Sequence, residues 1–481
     1  MIKALKLRDN KIFKDFFVYG LGTVLTKAIA FISLPIYTRV FIPEVYGELE
    51  LFLIVGSLFS AFLNIGLDSS LSFFFKIGGS FDDKKTTTVS TIFIISIVWG
   101  ILLFLLGIGI LNFLDFTSEQ IKIYIYVLII FFVETLINLL LNVLRLEMKS
   151  KKYTFYQISS GLLSNLLSLS FVLFWDPTIE KLLLGRLLAS SIIFPPLMIT
   201  NINFIDFKKV GAKSIKLILL FGIPLFPAAF FDYIFNYTDR LLIQSFLDFD
   251  QLGIFSAGAR LSVIISLITS SFTLAILPHL LEAIDKKNKE FIKSLQNNFF
   301  WIADIVILLF FISSELICFI LLGENFRGVS IILGFYIIHP IYSASYNLVS
   351  VGIWRSKKTY LSTLTMLVSC IMNIILTIYL IQFFGLIGVA MSTAISSLFW
   401  IYLTALISEK IFSTGMDRTS FLRDKFILIF SVMTMTYFFS EIDSKLIQYL
   451  SVSIVLLIFT LLSWKFNKKT ISDFKNLILN G

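Results

Sequence analysis

Charged residues are scarce in this chain of 481 residues. Asp, Glu, Lys and Arg make up 15% of it, whereas 57% of the residues are hydrophobic and 53 are Phe. A soluble domain has about a quarter of its residues charged. Together with a mean hydropathy of +0.91, this balance excludes an ordinary soluble fold and indicates an integral membrane protein.

Cysteine and histidine are also rare. The chain has two Cys, Cys318 and Cys370, which are far apart in sequence, and two His, His279 and His339. These residues indicate neither a disulfide framework nor a metal site. A G-x-x-x-x-G-K-S/T phosphate-binding loop is lacking, so ATP is not expected to be the direct energy source. We therefore predict that the protein is not an enzyme and has no catalytic residue, no metal and no cofactor. Coupling of its activity to H⁺ or Na⁺ stays open.

Long apolar runs fill the chain instead. Each is about 20 residues long, which as a helix spans ~30 Å of hydrocarbon. The predicted fold class is therefore an all-α integral membrane protein. The shortest of the apolar runs is the one at 426–440. We predict about fourteen transmembrane helices, at about 16–38, 48–72, 88–113, 121–144, 154–175, 181–200, 215–238, 252–280, 296–322, 329–350, 360–381, 386–408, 426–440 and 446–464.

Basic residues are concentrated in every second gap between these runs, where 31 of the 40 Lys and Arg residues lie. Because short cytoplasmic loops retain Lys and Arg, this alternation predicts that both termini are cytoplasmic. The net charge of +9 is then explained by loops that face an anionic leaflet, without nucleic acid as a partner. The first run is too long for a signal peptide and contains Lys27, so we expect it to remain as the first helix.

Weak internal repetition divides the chain. The first run ends in Tyr37-Thr38-Arg39 and the seventh in Tyr237-Thr238-Asp239-Arg240, and each is followed by a helix start that contains a glycine, Gly47 or Gly253. Duplicated halves are typical of transporters that bind substrate near the bilayer midplane. We predict six-helix lobes at 1–205 and 206–410, followed by two additional helices and a cytoplasmic tail at 411–481.

These segments carry a family resemblance. The stretch Leu-Pro-Ile-Tyr-Thr-Arg-Val-Phe-Ile-Pro-Glu-Val-Tyr-Gly-Glu-Leu at 34–49 resembles the start of bacterial polysaccharide exporters of the O-antigen flippase type, and Gly66-Leu67-Asp68 and Gly253-Ile254-Phe255 fit the same pattern. Their superfamily includes multidrug/cation exporters and the peptidoglycan lipid flippase. The resemblance implies alternating-access transport of a polyprenyl-pyrophosphate-linked oligosaccharide to the outer leaflet of a bacterial plasma (inner) membrane, for O-antigen, capsule or exopolysaccharide synthesis.

Such a cargo has an anionic head, and Arg suits pyrophosphate because its planar fork donates hydrogen bonds in pairs. A Lys or Arg at the bilayer centre costs roughly 2.5–3.5 kcal/mol, so basic residues within spans usually mark a pathway. Alternatives stay open: Arg186 could extend to the outer interface, and Lys27 could pair with Asp232. The predicted substrate-binding residues are Lys27, Arg39, Arg145, Arg186, Arg240, Arg260 and Arg355.

Acidic residues within spans are candidates for ion coupling. Glu134, Asp232 and Asp304 lie deep in predicted helices, where a carboxylate can carry a proton or bind Na⁺. The alternative for each is an ion pair with a nearby base. Asp68, Asp239 and Glu315 lie closer to the interfaces, and we expect structural roles for them.

Prolines predict where helices bend. Pro35 lies in the first run, and Pro224 and Pro227 lie in the seventh. A proline frees carbonyl groups that protein or water must satisfy. We predict hinges at these three residues, with a static packing kink as the alternative.

Two other functions remain from the sequence. A multidrug or cation exporter of the same fold would favour an acidic, aromatic cavity, against which Lys27 and Arg260 argue. A membrane glycan polymerase or ligase would need a larger external loop than any here. The expected partners are a lipid-linked oligosaccharide, membrane lipids and other glycan-assembly membrane proteins.

Overall fold

The computed structural model describes residues 2–77, 82–113, 116–358, 360–442 and 444–466. Within these ranges the chain is helical and contains no β-strand, which confirms the predicted all-α class. The part of the predicted cytoplasmic tail beyond residue 466 lies outside the described residues.

The first half of the chain contains nine α-helices in its described part. They are α1 (Ile2–Val40), α2 (Pro43–Asn64), α3 (Leu67–Ile77), α4 (Asp82–Phe113), α5 (Ser118–Leu146), α6 (Ser150–Phe174), α7 (Ile179–Asn201), α8 (Ala212–Gly222) and α9 (Phe226–Phe246). Short 3₁₀ turns at Ile202–Phe204, Phe207–Lys209 and Ile223–Leu225 join the last three.

The second half continues with eleven α-helices in its described part. They are α10 (Phe249–Leu261), α11 (Val263–Asp285), α12 (Lys289–Ile312), α13 (Ser314–Leu321), α14 (Ser330–Tyr336), α15 (Ile338–Ala344), α16 (Tyr346–Val349), α17 (Val351–Ser356), α18 (Tyr360–Ile411), α19 (Arg418–Glu441) and α20 (Lys445–Phe466). A 3₁₀ helix at Glu324–Val329 precedes α14.

Ten helical segments of the described chain are long and apolar enough to cross a membrane, and an eleventh span results if α8 and α9 count as one broken helix. The protein is therefore a multi-pass membrane protein. The number fourteen and the cytoplasmic position of both termini stay predictions. One difference from the sequence expectation is α19, which runs over Arg418–Glu441 and is longer than the predicted 426–440.

The predicted continuous helix at 48–72 is wrong, because the chain breaks between α2 and α3. Ile65 and Gly66 have φ angles of 31° and 80°. Glycine adopts this left-handed region without a steric penalty. A Cβ at Gly66 would also collide with the carbonyl group of Gly222, so the close approach of the chain there requires glycine.

Serines lie at helix boundaries within two predicted spans. Ser262 separates α10 from α11, although Phe249–Thr273 still forms one apolar stretch long enough to cross a membrane. The predicted helix at 329–350 is divided at Ser345 among other places. The hydroxyl of Ser262 donates to the carbonyl of Ala259 at 2.7 Å, and that of Ser345 donates to Tyr342 at 2.6 Å. Such bonds compete with the helix ladder and bend helices.

The predicted boundary between the spans 360–381 and 386–408 is confirmed. Helix α18 consists of two helical arms that meet at Gly385, where φ is 53° and ψ is −132°, which is not helical. The backbone therefore folds back at Gly385, and Gly388 then packs against the carbonyl of Leu380.

The chain forms two compact units, one of residues 1–41 and 48–233 and the other of residues 42–47 and 234–481. In the first unit, Leu71, Ile92 and Leu140 belong to a core that joins α3, α4 and α5. In the second unit, Phe311, Phe335 and Tyr342 are among the largest fully buried side chains. The six-helix lobes at 1–205 and 206–410 stay a prediction.

Candidate functional site

In the first unit, the structure brings together two predicted site residues, Arg186 on α7 and Glu134 on α5. The guanidinium group donates through Nε to Oε1 at 2.7 Å and through Nη2 to Oε2 at 2.8 Å. Arg186 also lies over the ring of Phe131 at 4.8 Å. Both side chains are about one quarter exposed. This bidentate ion pair fixes the orientation of Arg186. An ion pair with a nearby base is the alternative to ion coupling that the sequence left open for Glu134.

Lys27 lies on α1, which packs closely on α6. The contact uses small residues: a Cβ at Gly22 would meet Thr154 and Gln157, and one at Gly161 would meet Thr26. Ser33 and Asn165 join the same two helices by a hydrogen bond of 2.7 Å. Lys27 is partly buried, and in the described part of the chain it has no hydrogen-bond or ion-pair partner. Its ammonium group is therefore available to an anionic ligand.

Arg39 and Arg240 have the same local geometry. Arg39 Nη1 donates to the carbonyl of Pro35 at 2.6 Å, and Arg240 Nη1 donates to the carbonyl of Asn236 at 2.6 Å. Each arginine thus binds the carbonyl four residues before it, near the end of its helix. Arg240 also contacts Tyr336 through Nη2 at 3.3 Å. The two positions were aligned by the predicted repeat.

The other predicted cations differ in their surroundings. Arg260, in the last turn of α10, lies over the ring of Tyr46 at 5.3 Å. Arg355 is exposed and donates to the carbonyl of Ile284 at 3.0 Å. Arg145 is exposed in the last turn of α5. In the described part of the chain, Lys27, Arg145 and Arg355 form no hydrogen bond or ion pair with the other predicted site residues.

Asp304 of α12 forms a buried ion pair with Lys425 of α19. Lys425 Nζ lies 2.7 Å from Oδ1 and 2.5 Å from Oδ2, and both side chains are 5% exposed. Tyr342 donates a further hydrogen bond to Oδ1. The rings of Phe300, Tyr342 and Phe421 surround the ammonium group at 4.9–5.4 Å. Lys425 lies in the basic gap at 409–425 that the charge alternation predicts to be a cytoplasmic loop, and this is wrong because α19 already begins at Arg418, so that Lys425 is a buried helical residue.

Asp417 begins the helix that carries Lys425. Its carboxylate accepts from the backbone N–H groups of Thr419 and Ser420 and from both hydroxyls. These hydrogen bonds, first of all that of the Ser420 hydroxyl, lower the pKa of Asp417 from 3.8 to about 2. Asp417 therefore remains ionised as the N-cap of α19.

A second buried carboxylate, Asp239 on α9, lies among polar side chains of α18. Asp239 is 4% exposed and accepts from the Thr393 hydroxyl at 2.5 Å. Asn373 and Thr377 face the same carboxylate, although Asn373 does not reach hydrogen-bond geometry. Asp239 Oδ1 and both amide atoms of Asn373 are buried and have no hydrogen-bond partner within the described chain. We name Asp239, Asn373, Thr377 and Thr393 the Asp239 cluster.

The sequence predicts a structural role for Asp239, and it also contains a polar pattern that lies beside this residue in the structure. Ser369, Asn373 and Thr377 recur every four residues in an apolar helix, which places polar groups on one face of α18. All three are fully buried. A buried polar stripe of this kind needs partners from another helix, and Asp239 supplies one.

The remaining candidates lie in the region of α1, α8 and α9. Asp232, Pro224 and Pro227 are exposed. Pro224 lies in the 3₁₀ turn that separates α8 from α9, so the predicted break of this span is present. Helix α1, in contrast, continues through Pro35 to Val40. Hinge motion at the three prolines stays a prediction.

A family model and a protein of Haemophilus influenzae match this chain. A family model described as "Polysaccharide biosynthesis protein" matches residues 12–284. Protein 1 of the Lsg locus of Haemophilus influenzae is 24% identical over 283 residues, which are 58% of this chain and 68% of that protein.

Two solved structures share the fold. Lipid II flippase MurJ in an inward closed conformation matches with a TM-score of 0.68 and 18% identity, over 95% of this chain and 100% of that chain. A multidrug resistance MATE family transporter of the MOP superfamily, in an inward-facing conformation, matches with a TM-score of 0.62 and 12% identity, over 82% and 96% of the two chains. The helices thus have the arrangement of transporters and flippases.

Proposed function

Because the chain belongs to the polysaccharide biosynthesis protein family, we propose that it carries a polyprenyl-pyrophosphate-linked oligosaccharide from the cytoplasmic to the outer leaflet of a bacterial plasma membrane. Family membership is the observation that carries this proposal. The fold is that of transporters and flippases. The cargo would serve the assembly of a surface glycan, and the partners would be the membrane proteins that build and extend it.

The basic residues support an anionic lipid-linked cargo. Lys27 is partly buried in a membrane helix without a partner in the described chain, and Arg260 lies over an aromatic ring rather than at a loop surface. A cation is kept within a span where it faces protein, water or a ligand. A pyrophosphate group supplies negative charge for the ammonium group of Lys27 and hydrogen-bond acceptors for the guanidinium group of Arg260, and the polyprenyl tail remains in the hydrocarbon.

Transport would proceed by alternating access, in which the cargo site opens to one side of the membrane at a time. The break between α8 and α9 at Pro224 and the break between α2 and α3 at Gly66 meet through the contact of Gly66 with Gly222. Residues at helix ends absorb the backbone changes of such motions. We place a hinge at this contact, with Pro35, Pro224 and Pro227 as further candidates.

The Asp239 cluster fits the coupling ion better than the acids chosen from the sequence. Glu134 and Asp304 already have basic partners. The Asp239 cluster instead offers a carboxylate, an amide and two hydroxyls, of which Asp239 Oδ1 and Asn373 Oδ1 have no hydrogen-bond partner in the described chain. Oxygen ligands of this kind suit a hard cation such as Na⁺, and the carboxylate can also take a proton. Bound there, the ion would neutralise Asp239.

A test in the source cells follows from the direction of transport. Cells that lack the protein should accumulate the lipid-linked oligosaccharide in the cytoplasmic leaflet, where reagents added outside do not reach it. Expression of the native chain should restore its exposure at the outer leaflet. An unchanged distribution, combined with new sensitivity to cationic drugs, would instead identify an exporter of the multidrug type.

A further inference from the structure

A deep groove lies between α11 and α12 in the second unit. Its volume is about 420 Å³, and Ile341 of α15 closes its floor. The lining is apolar except for Thr269 and Asn298. The Thr269 hydroxyl donates to the carbonyl of Ser266 at 3.3 Å, which satisfies it within its own helix. Asn298 Nδ2 donates to the Ser294 hydroxyl at 3.3 Å, while the buried Oδ1 has no hydrogen-bond partner among the described residues. Apart from this amide, the surface of the groove is suited to hydrocarbon.

Part of the lining of the groove is exposed at the surface of the protein. Three of its apolar residues show this: Ile268 is 62% exposed, Ile302 38% and Val306 36%. In a membrane span, exposed apolar side chains of this kind are solvated by lipid chains. An occupant can thus enter sideways from the membrane without crossing water.

The length of the groove indicates a long chain. Its lining residues on α12 extend from Phe291 to Val306, which at 1.5 Å per residue is about 22 Å along the helix. One leaflet of a ~30 Å hydrocarbon core is only about 15 Å deep. An acyl chain of a bilayer phospholipid ends within its leaflet, whereas a polyprenyl chain is long enough to fill the whole groove.

Basic groups lie at the end of the groove near Phe291. Lys287, Lys289 and Lys293 are exposed there, and Arg355 binds the carbonyl of Ile284. Glu282 is engaged by Lys286 at 2.6 Å, and this hydrogen bond lowers the pKa of Glu282. Because the charges of Glu282 and Lys286 cancel, the other basic groups at this end outnumber the remaining acidic residues, Asp285 and Glu290. The end is thus complementary to an anionic head group.

We infer that the groove between α11 and α12 holds the polyprenyl chain of the cargo while its phosphate groups lie at this basic end. The inference rests on the proposed function and adds a binding site for the tail. The occupant enters from the membrane, with its head group toward the connection between α11 and α12.

The experiment uses the full-length protein in nanodiscs that contain phosphatidylethanolamine and phosphatidylglycerol. The probe is a polyprenyl phosphate with a photoactivatable group near the far end of its chain and no sugar. Irradiation should label peptides of α11 and α12. Unlabelled polyprenyl phosphate should compete for this label, and added phosphatidylglycerol should not.

Two variants block the groove in different ways. Ala303→Phe fills its interior, and Ile268→Trp covers its rim without changing buried residues. Each should lower the labelling about tenfold, which corresponds to about 1.4 kcal/mol of lost affinity. Val368→Phe, on an exposed position of α18, is the matched control and should label like the native chain.

Labelling that is unchanged in both groove variants, or that phosphatidylglycerol displaces, would overturn the inference and leave an ordinary lipid-facing groove. A leaflet-resolved transport assay on the same preparations separates the two proposals. Oligosaccharide movement without groove labelling would overturn the tail site alone. Groove labelling without movement would support a polyprenyl site and overturn the flippase.

Discussion

Gly47 and Gly253 lie where the start of α2 crosses α10, and each faces the backbone of the other helix. A Cβ at Gly47 would collide with the carbonyl oxygen of Phe249, and a Cβ at Gly253 would collide with that of Pro43. In both cases the carbonyl belongs to the residue four positions before the opposite glycine. The contact is therefore reciprocal, at positions that the predicted repeat makes equivalent.

This contact predicts that alanine is not tolerated at either glycine. Gly47→Ala or Gly253→Ala should lower the free energy of unfolding by about 1–3 kcal/mol, because overpacking forces the two backbones apart. Thermal unfolding in detergent measures the effect. Gly109→Ala is the control, since no atom lies within 4 Å of a Cβ there. If Gly253→Ala is as stable as Gly109→Ala, the backbone contact is not close.

The buried pair of Asp304 and Lys425 predicts a strong dependence on both partners. Lys425→Met or Asp304→Asn should each cost about 3–5 kcal/mol of stability, because one charge is left buried without compensation. The double variant should recover most of this loss, since both charges are then absent. Thermal unfolding of the four proteins completes the cycle. If the loss of stability in the double variant equals the sum of the losses in the two single variants, the two residues are not coupled.

The Asp239 cluster predicts that a cation stabilises the protein. Na⁺ in excess over its Kd by about ten- to a hundredfold should stabilise the native chain by roughly 1–3 kcal/mol. The shift of the unfolding temperature between NaCl and KCl at equal ionic strength measures this effect. Asp239→Asn and Thr393→Ala should remove the shift, whereas Asp304→Asn should retain it. A native chain that responds equally to both salts, and whose transport ignores both Na⁺ and H⁺ gradients, would contradict an ion site.

The cap at Asp417 predicts a pH dependence with a defined sign. Its pKa is about 2 in the folded chain and 3.8 ordinarily, so the ionised cap stabilises α19 above about pH 4 and loses this contribution as the pH falls toward 2. Asp417→Ala should therefore lower stability by about 1 kcal/mol at pH 7 and by less near pH 2. Unfolding temperatures of both proteins across this range provide the measurement. A difference that grows as the pH falls would have the wrong sign.

The sequence predicted the helical class and many helix positions because run length and charge alternation follow directly from the bilayer. It also predicted the boundary near Gly385. The break at Gly66 was not predicted, since a long apolar run has the same hydropathy with or without a local turn. The repeat aligns Arg39 with Arg240, and each binds the carbonyl four residues before it; the sequence does not predict these carbonyl contacts, and the repeat itself stays a prediction.

The candidate site was less predictable because it depends on contacts between distant helices. The alternation of basic residues places Lys425 in a loop, because the number of basic residues in a gap does not show whether a side chain at its edge is buried. The structural role expected for Asp239 rests on its depth in its own helix alone. Its hydrogen-bond donor Thr393 and its neighbour Asn373 lie more than a hundred residues away, and the fold alone brings them together.

The most direct test of the proposed transport is leaflet-resolved accessibility of a polyprenyl-pyrophosphate oligosaccharide in proteoliposomes. The native chain should move the lipid between leaflets, Lys27→Ala and Arg260→Ala should slow this movement, and the exposed loop variant Lys208→Ala should leave it unchanged. If the native chain does not move the lipid but exports a cationic dye instead, the protein is a drug exporter and the two basic residues are structural.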